Sequence, residues 1–82
     1  MKNMYEDIVY KIINEHITQN EITPAQVADD LQLLGMDSIT FIRIIVAFEE
    51  ALEIEIPDNY LLMNEMNSVE KMLGVINSLK TS

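Results

Sequence analysis

The spacing of apolar residues constrains the fold of this chain more than any other feature. Three separate segments, residues 4–17, 38–53 and 67–79, place apolar side chains three and four positions apart, as amphipathic helices do. In the first and third segments these side chains are Tyr5, Ile8, Val9, Ile12, Ile13 and Ile17, then Val69, Met72, Leu73, Ile76 and Leu79. Residues 53–56 alternate like a strand, but a single short strand cannot form a sheet. The spacing therefore predicts an all-α fold.

Capping residues predict where the three helices begin. Asn3 is expected to cap the first helix. Asp37 or Ser38 is expected to cap the second, which runs to about residue 53. Asn67 is expected to cap the third, because Glu70 follows at the reciprocal position of a capping box.

A long connection separates the first two helices, because residues 18–37 lack sustained periodicity. Thr23, Pro24 and Gln26 can form one or two helical turns within it. Three leucines are expected to pin the connection to the core, namely Leu31, Leu33 and Leu34. Pro57 prevents the second helix from continuing, and residues 58–62 predict a short fourth helix. We therefore expect one domain over residues 1–82, a four-helix bundle of three main helices and one short helix.

The second helix carries two apolar faces. Five side chains at helical spacing form an adequate core stripe, namely Phe41, Ile44, Ile45, Phe48 and Leu52. A second set, Ile39, Ile42 and Val46, falls on a different side of the helix. The sequence leaves two alternatives open for this second set. Either the helix is buried all round, or the set forms an exposed apolar strip, rimmed by acidic residues, that docks another protein.

The charge of the chain is concentrated in its middle. The 82 residues include 5 basic and 14 acidic side chains, a net charge of −9. Residues 29–58 alone hold eight acidic side chains and one basic one, Arg43. Such a balance argues against nucleic acid and anionic membranes as partners, since both are bound mainly through Lys and Arg. The acidic residues form either an ordinary solvated face or a surface for a basic protein.

Composition excludes several kinds of site. The chain has no Cys and a single His, His16, so a disulfide scaffold, a thiolate metal site and a histidine cluster cannot form. The acidic residues of positions 49–55 lack the loop pattern of a calcium site, and we expect no metal. The longest apolar run is residues 44–48, too short for a membrane span, and Met1 is followed by polar residues rather than a signal core. We expect a cytoplasmic monomer.

Ser38 is the candidate for chemistry. It lies at the predicted N-terminus of the second helix, after Gly35 and directly after Asp37. Unpaired backbone N–H groups at a helix N-terminus stabilise a phosphate group attached there. An ordinary N-cap is the alternative for these residues. A serine hydrolase is excluded because its G-x-S-x-G pattern is absent, so we expect no catalytic residue.

This site and its surroundings resemble the acyl carrier protein family, in which Asp-Ser-Leu or Asp-Ser-Ile opens the second helix. Four landmarks of that family occur in its order and at its separations: Leu34-Gly35-Met36-Asp37-Ser38-Ile39, Phe48-Glu49-Glu50-Ala51-Leu52, Ile54-Glu55-Ile56-Pro57-Asp58 and Asn67-Ser68-Val69. The resemblance covers nearly the whole chain and implies the acyl-carrier-like helical bundle.

The resemblance implies a role for each site residue. A phosphopantetheinyl transferase that uses coenzyme A and magnesium would attach 4'-phosphopantetheine to Ser38, and Asp37 would be recognised with it. The terminal thiol of the arm would carry acyl groups as thioesters, while the chain itself would catalyse nothing. Acyl-loading and acyl-processing enzymes with basic docking surfaces would be the partners. The partner-facing positions would be apolar Ile39, Ile42 and Val46, with Glu49 and Glu50 as the acidic rim.

Two positions depart from the fatty-acid members of that family. Those carriers usually have Asp two residues after the serine and Glu five residues after it, whereas this chain has Thr40 and Arg43. An opposite charge repels partners that read the position with a basic side chain, so Arg43 is also a candidate partner-binding residue. We expect a discrete carrier of a specialised pathway, of polyketide or nonribosomal peptide type. The alternatives are a fatty-acid carrier and an unmodified acidic helical adaptor.

Overall fold

The computed structural model describes residues 5–81, which form three α-helices joined by irregular segments. The helices are α1 (Glu6–His16), α2 (Ser38–Leu52) and α3 (Val69–Thr81). Single 3₁₀ turns occur at Pro24–Gln26, Leu31–Leu34, Asp58–Tyr60 and Met63–Glu65, and no strand occurs in residues 5–81. The predicted all-α class is confirmed. No helix in this range has both the length and the apolar character that a bilayer crossing requires.

One cluster of buried apolar side chains joins the three helices. The predicted core stripe of α2 is buried in full: Phe41, Ile44, Ile45, Phe48 and Leu52. The other helices contribute Val9, Ile12, Ile13, Val69, Met72 and Ile76, and the connections contribute Ile17, Ile22, Leu31, Met36, Ile56 and Met66. Ile8 was expected in this stripe but is 37% exposed, because it lies toward the edge of the buried face of α1.

Side-chain amides and backbone bonds hold the long connection between α1 and α2. Asn14 accepts a bond from the Ile22 N–H (2.7 Å) and donates to the Ile22 carbonyl (2.9 Å). Further along, the Leu31 N–H donates to the Asn67 carbonyl (2.7 Å), which ties the connection to the start of α3. The predicted Thr23–Gln26 turn forms, with the Thr23 N–H donating to Gln26 Oε1 (2.9 Å). The connection is therefore ordered although it contains no α-helix.

The two ends of the bundle bring different helix termini together. At one end, a side chain at Gly35 would lie 3.5 Å from Ile17, so the end of α1 lies beside the start of α2. At the other end, Lys80 Nζ of α3 donates to the Leu52 carbonyl (3.0 Å), the last residue of α2. A cation at this position also compensates the partial negative charge of the α2 C-terminus. The N-terminus of α2 therefore lies at the same end of the bundle as the C-terminus of α1.

The cap of α3 and the segment after α2 differ from the predictions made from the sequence. The expected cap of α3 at Asn67 is wrong, because the Ser68 hydroxyl accepts from the Lys71 N–H (3.2 Å) while Asn67 uses its carbonyl to bind the long connection. The short fourth helix over residues 58–62 is only a 3₁₀ turn, Asp58–Tyr60, too short for an α-helical hydrogen-bond ladder. The expected cap of α1, Asn3, lies outside the described residues.

Candidate functional site

Ser38 is the first residue of α2, and its side chain is exposed. Of the two predicted cap candidates, Asp37 and Ser38, Asp37 is the N-cap: its Oδ1 accepts from the Thr40 N–H (2.8 Å), and its carbonyl accepts from the Phe41 N–H (2.8 Å). The serine hydroxyl is not used as the cap and stands at the positive end of the helix dipole. This arrangement leaves Ser38 available for chemistry.

The turn before Ser38 is fixed by a glycine and a buried methionine. Gly35 has φ +118°, a conformation that side-chain-bearing residues rarely adopt, and a Cβ there would lie 3.0 Å from Gln19 Oε1. The next residue, Met36, is buried, and its N–H donates to the Leu31 carbonyl (2.9 Å). The glycine reverses the chain and the methionine anchors it, so α2 starts at a defined point on the surface.

The carboxylate of Asp37 is stabilised in its charged form. The bond that it accepts from the Thr40 N–H lowers the pKa of Asp37 below its ordinary value. Aspartate is ionised at neutral pH even at its ordinary pKa, and the lowered pKa of Asp37 keeps this negative charge beside Ser38 at more acidic pH as well. A carboxylate at this position can attract a cation or a basic residue of a partner.

The second apolar face of α2 is exposed to solvent. Ile39 is 66%, Ile42 50% and Val46 44% exposed. At 100° per residue, these side chains point away from the core stripe centred on Phe48. The alternative in which α2 is buried all round is therefore wrong. Ser38 and this apolar strip share one outward surface of the bundle.

The charged residues predicted to surround this strip have different surroundings. Arg43 and Glu50 are exposed on the same outward face of α2. Glu49 is half-buried, and its Oε2 accepts from the Ile56 N–H (2.9 Å), so its carboxylate helps to hold the segment that follows α2. Glu49 therefore has a structural bond that the sequence pattern did not indicate.

Leu33 is exposed, although the sequence predicts that it is buried. Leu31 is buried and Leu34 half-buried, as expected, but Leu33 is 84% exposed. The three residues belong to the 3₁₀ turn Leu31–Leu34, in which positions three apart share a face. Leu31 and Leu34 are three positions apart and share the face that lies against the core, whereas Leu33 lies on a different face. The spacing was the signal in the sequence that could have assigned Leu33 to the surface.

The described residues offer an exposed hydroxyl rather than a metal centre. No group of three or more His, Cys, Asp or Glu side chains able to hold a metal ion occurs in residues 5–81. The surface around Ser38 combines a nucleophilic oxygen, an ionised neighbour and an apolar strip. Such a surface fits a residue that is modified by another protein.

Comparison with known proteins agrees with this description. A family model described as a phosphopantetheine attachment site matches residues 13–76, which are 64 of the 82 residues and include Ser38. No solved structure matches the chain.

Proposed function

The chain belongs to the phosphopantetheine attachment site family, the acyl and peptidyl carrier proteins, and we propose that Ser38 is its attachment serine. Members of this family bear 4'-phosphopantetheine covalently on a serine, so the chain is a carrier protein. The observation that carries the proposal is the exposure of Ser38 at the N-terminus of α2, while Asp37 supplies the cap. No other described serine opens a helix with an exposed side chain, because Ser68 is buried and Ser78 lies within α3.

The surroundings of Ser38 fit the phosphate end of the arm. A phosphodiester on Ser38 Oγ would lie at the positive end of the α2 dipole, where anions are stabilised. Gly35 and Met36 hold the preceding turn, so the attachment point has a defined position. The bound arm supplies a terminal thiol, which carries acyl groups as thioesters. The chain has no Cys that could compete for these groups.

Asp37 is proposed to take part in the attachment step. Its carboxylate is exposed and charged at neutral pH, which suits recognition by the transferase and its magnesium ion. The same side chain caps α2, so Asp37 has both a structural role and a proposed recognition role.

The outward face of α2 is proposed as the partner surface. Ile39, Ile42 and Val46 would contact apolar residues of the loading and processing enzymes, and Glu50 would meet basic residues at the rim. Glu49 belongs to the same proposal, although its bond to the Ile56 N–H limits how far its carboxylate can turn toward a partner. The cytoplasmic location and the monomeric state stay predictions from the sequence.

Arg43 favours a specialised pathway over fatty-acid synthesis. It is exposed on the proposed partner surface, where it places a positive charge among acidic residues. An enzyme that docks with a basic residue opposite this position would be repelled. We therefore propose a discrete carrier of polyketide or nonribosomal peptide type, with partners that tolerate or pair with Arg43.

Intact-mass measurement after priming tests the proposal. The purified chain is incubated with coenzyme A, Mg²⁺ and a broad-specificity phosphopantetheinyl transferase. We expect the mass of one phosphopantetheinyl group to be added to the wild type and to Ser78→Ala, and none to Ser38→Ala. Ser78 is the matched control because it is also an exposed serine, on α3.

Two results would contradict the proposal. The absence of a mass change under conditions that prime a reference carrier would show that Ser38 is not an attachment site. The adaptor alternative predicts that Ser38→Ala keeps its partners, whereas Glu50→Lys loses them. That pattern of binding would replace the carrier role with an unmodified docking role.

A further inference from the structure

Two exposed apolar side chains lie on either side of Ser38 in the chain. Leu33 and Ile39 are the two most exposed large apolar residues among residues 5–81. Leu33 belongs to the 3₁₀ turn before Ser38 and Ile39 to the first turn of α2, so they come from different elements. Leu33 lies five residues before Ser38 and Ile39 directly after it, so both are apolar groups available to a protein that reaches Ser38.

The position of Leu33 is held by its neighbours. Its turn is anchored at Leu31, which is buried and whose N–H donates to the Asn67 carbonyl (2.7 Å). Asn20 Nδ2 donates to the Leu34 carbonyl (2.8 Å) on the other side of Leu33. The exposure of Leu33 therefore follows from an ordered turn, and a partner that contacts it need not order the loop first.

Two carboxylates in this part of the chain are held by backbone N–H groups. Asp30 caps the turn of Leu33, with its Oδ1 accepting from the Gln32 N–H (2.9 Å), and Asp37 caps α2. Both carboxylates are held by backbone N–H groups close to Leu33 and Ser38 in the chain. A complementary partner presents an apolar surface surrounded by basic side chains.

We infer that Leu33, together with Ile39, contacts the phosphopantetheinyl transferase during attachment of the arm, an inference that rests on the proposed function of Ser38. In that step Ser38 Oγ forms a bond to the pantetheine-bearing phosphorus of coenzyme A. The phosphoanhydride bond breaks, 3',5'-adenosine bisphosphate leaves, and the serine proton passes to a base of the transferase.

The chemistry of this step selects the transferase as the partner. A serine has one carbon between its backbone and its hydroxyl oxygen, so Ser38 reacts only when the start of α2 enters the active site of the transferase. The residues beside Ser38 then lie within the interface. Enzymes that act later reach the thiol at the far end of a long arm, so their contacts with the outward face of α2 need not extend to Leu33. Leu33 is therefore a specificity residue for attachment.

Attachment kinetics test the role of Leu33. Initial rates of mass increase are measured with coenzyme A, Mg²⁺ and a broad-specificity transferase over a range of carrier concentrations. We expect Leu33→Ala to lower kcat/KM about tenfold by raising KM, with little change in kcat. The reason is that the variant loses the apolar contact that Leu33 would bury against the transferase. Leu33→Met preserves apolar volume and should stay within about twofold of the wild type.

Ile8→Ala is the matched control, since Ile8 is a partly exposed apolar residue of α1. It lies nine positions before Ile17, roughly 14 Å away along the helix axis, and Ile17 is the residue beside Gly35. It should leave the kinetics unchanged. A Leu33→Ala rate within twofold of the wild type, at an unchanged thermal midpoint, would overturn the inference and leave the carrier function intact. A wild-type chain that is not modified at all would overturn both.

Discussion

At the residue scale, the two glycines of the chain occupy opposite environments. Gly35 has φ +118°, and a Cβ there would lie 3.0 Å from Gln19 Oε1. Gly74 lies in the interior of α3, and a Cβ there would meet nothing within 4 Å. The first glycine is required by the backbone and by a close approach. The second only increases the conformational entropy of the unfolded chain.

The same substitution should therefore have opposite effects at the two glycines. We expect Gly35→Ala to lower the free energy of unfolding by about 1–3 kcal/mol, because the backbone is strained and Gln19 must move. Gly74→Ala should raise it by up to about 1 kcal/mol. Urea unfolding followed by circular dichroism measures both. Equal effects of the two substitutions would show that the conformation of Gly35 is not required.

The leucines of the long connection show how far residue type alone predicts burial. Leu31 and Leu33 are chemically identical and two positions apart, yet one is buried and the other exposed. The hydrophobicity of leucine predicts that both side chains are buried in the core. The 3₁₀ geometry of the turn separated them, because it places only residues three apart on one face.

At the scale of the element, α2 depends on Asp37 for its start. The Thr40 N–H donates to the Asp37 carboxylate, which lowers the pKa of Asp37. A carboxyl group whose pKa is lowered by folding stabilises the folded state above its ordinary pKa, about 3.9. That stabilisation is lost as the pH falls through the lower pKa of the folded state. The charge of Asp37 should therefore matter at neutral pH and vanish in acid.

Asp37→Asn isolates this charge, because Asn keeps the capping oxygen but cannot ionise. We expect the wild type to have a thermal midpoint a few degrees higher than the variant at pH 7 and the same midpoint below the pKa of Asp37. Thermal unfolding between pH 7 and pH 2 measures the difference. A difference that persists unchanged to pH 2 would show that the charge of Asp37 is not its source.

The two faces of α2 were predicted from the sequence, but their burial was not. The periodicity identified Phe41, Ile44 and Phe48 as core residues, and the structure confirms them. The same periodicity could not decide whether Ile39, Ile42 and Val46 are covered, because that depends on where α1, α3 and the connections lie. No described element buries this side of α2, so the strip is exposed.

At the scale of the whole molecule, the charge of −9 is unevenly distributed. Most of it belongs to residues 29–58, which include Ser38 and α2. Arg43 is the one basic residue of this segment and is exposed on α2. An acidic segment attracts basic proteins within about one Debye length, and the positive charge of Arg43 reduces that attraction locally.

Reversal of this one charge should therefore change partner choice. We expect Arg43→Glu to raise the kcat/KM of acyl transfer by a purified fatty-acid-synthesis acyltransferase about tenfold at low salt, with a smaller effect at high salt. Lys71→Glu is the matched control: it makes the same change in charge at an exposed position on α3 and should have little effect. Equal rates for Arg43→Glu and the wild type would remove Arg43 from partner selection.

The sequence by itself determined the features of this protein that depend on local order. Helical spacing located the three helices, Asp37 and Ser38 marked the start of α2, and the ordered landmarks around Ser38 pointed to a carrier protein. These signals are local because spacing, capping and motif order are read from neighbouring positions.

Only the tertiary structure decided which groups are covered and which backbone donors they meet. In the folded chain Leu33 and the outer strip of α2 are exposed, and Glu49 accepts a hydrogen bond from the Ile56 N–H. The cap of α3 is Ser68 rather than the predicted Asn67. The physical reason is that burial and hydrogen-bond partners depend on residues that are distant in the chain and adjacent only after folding.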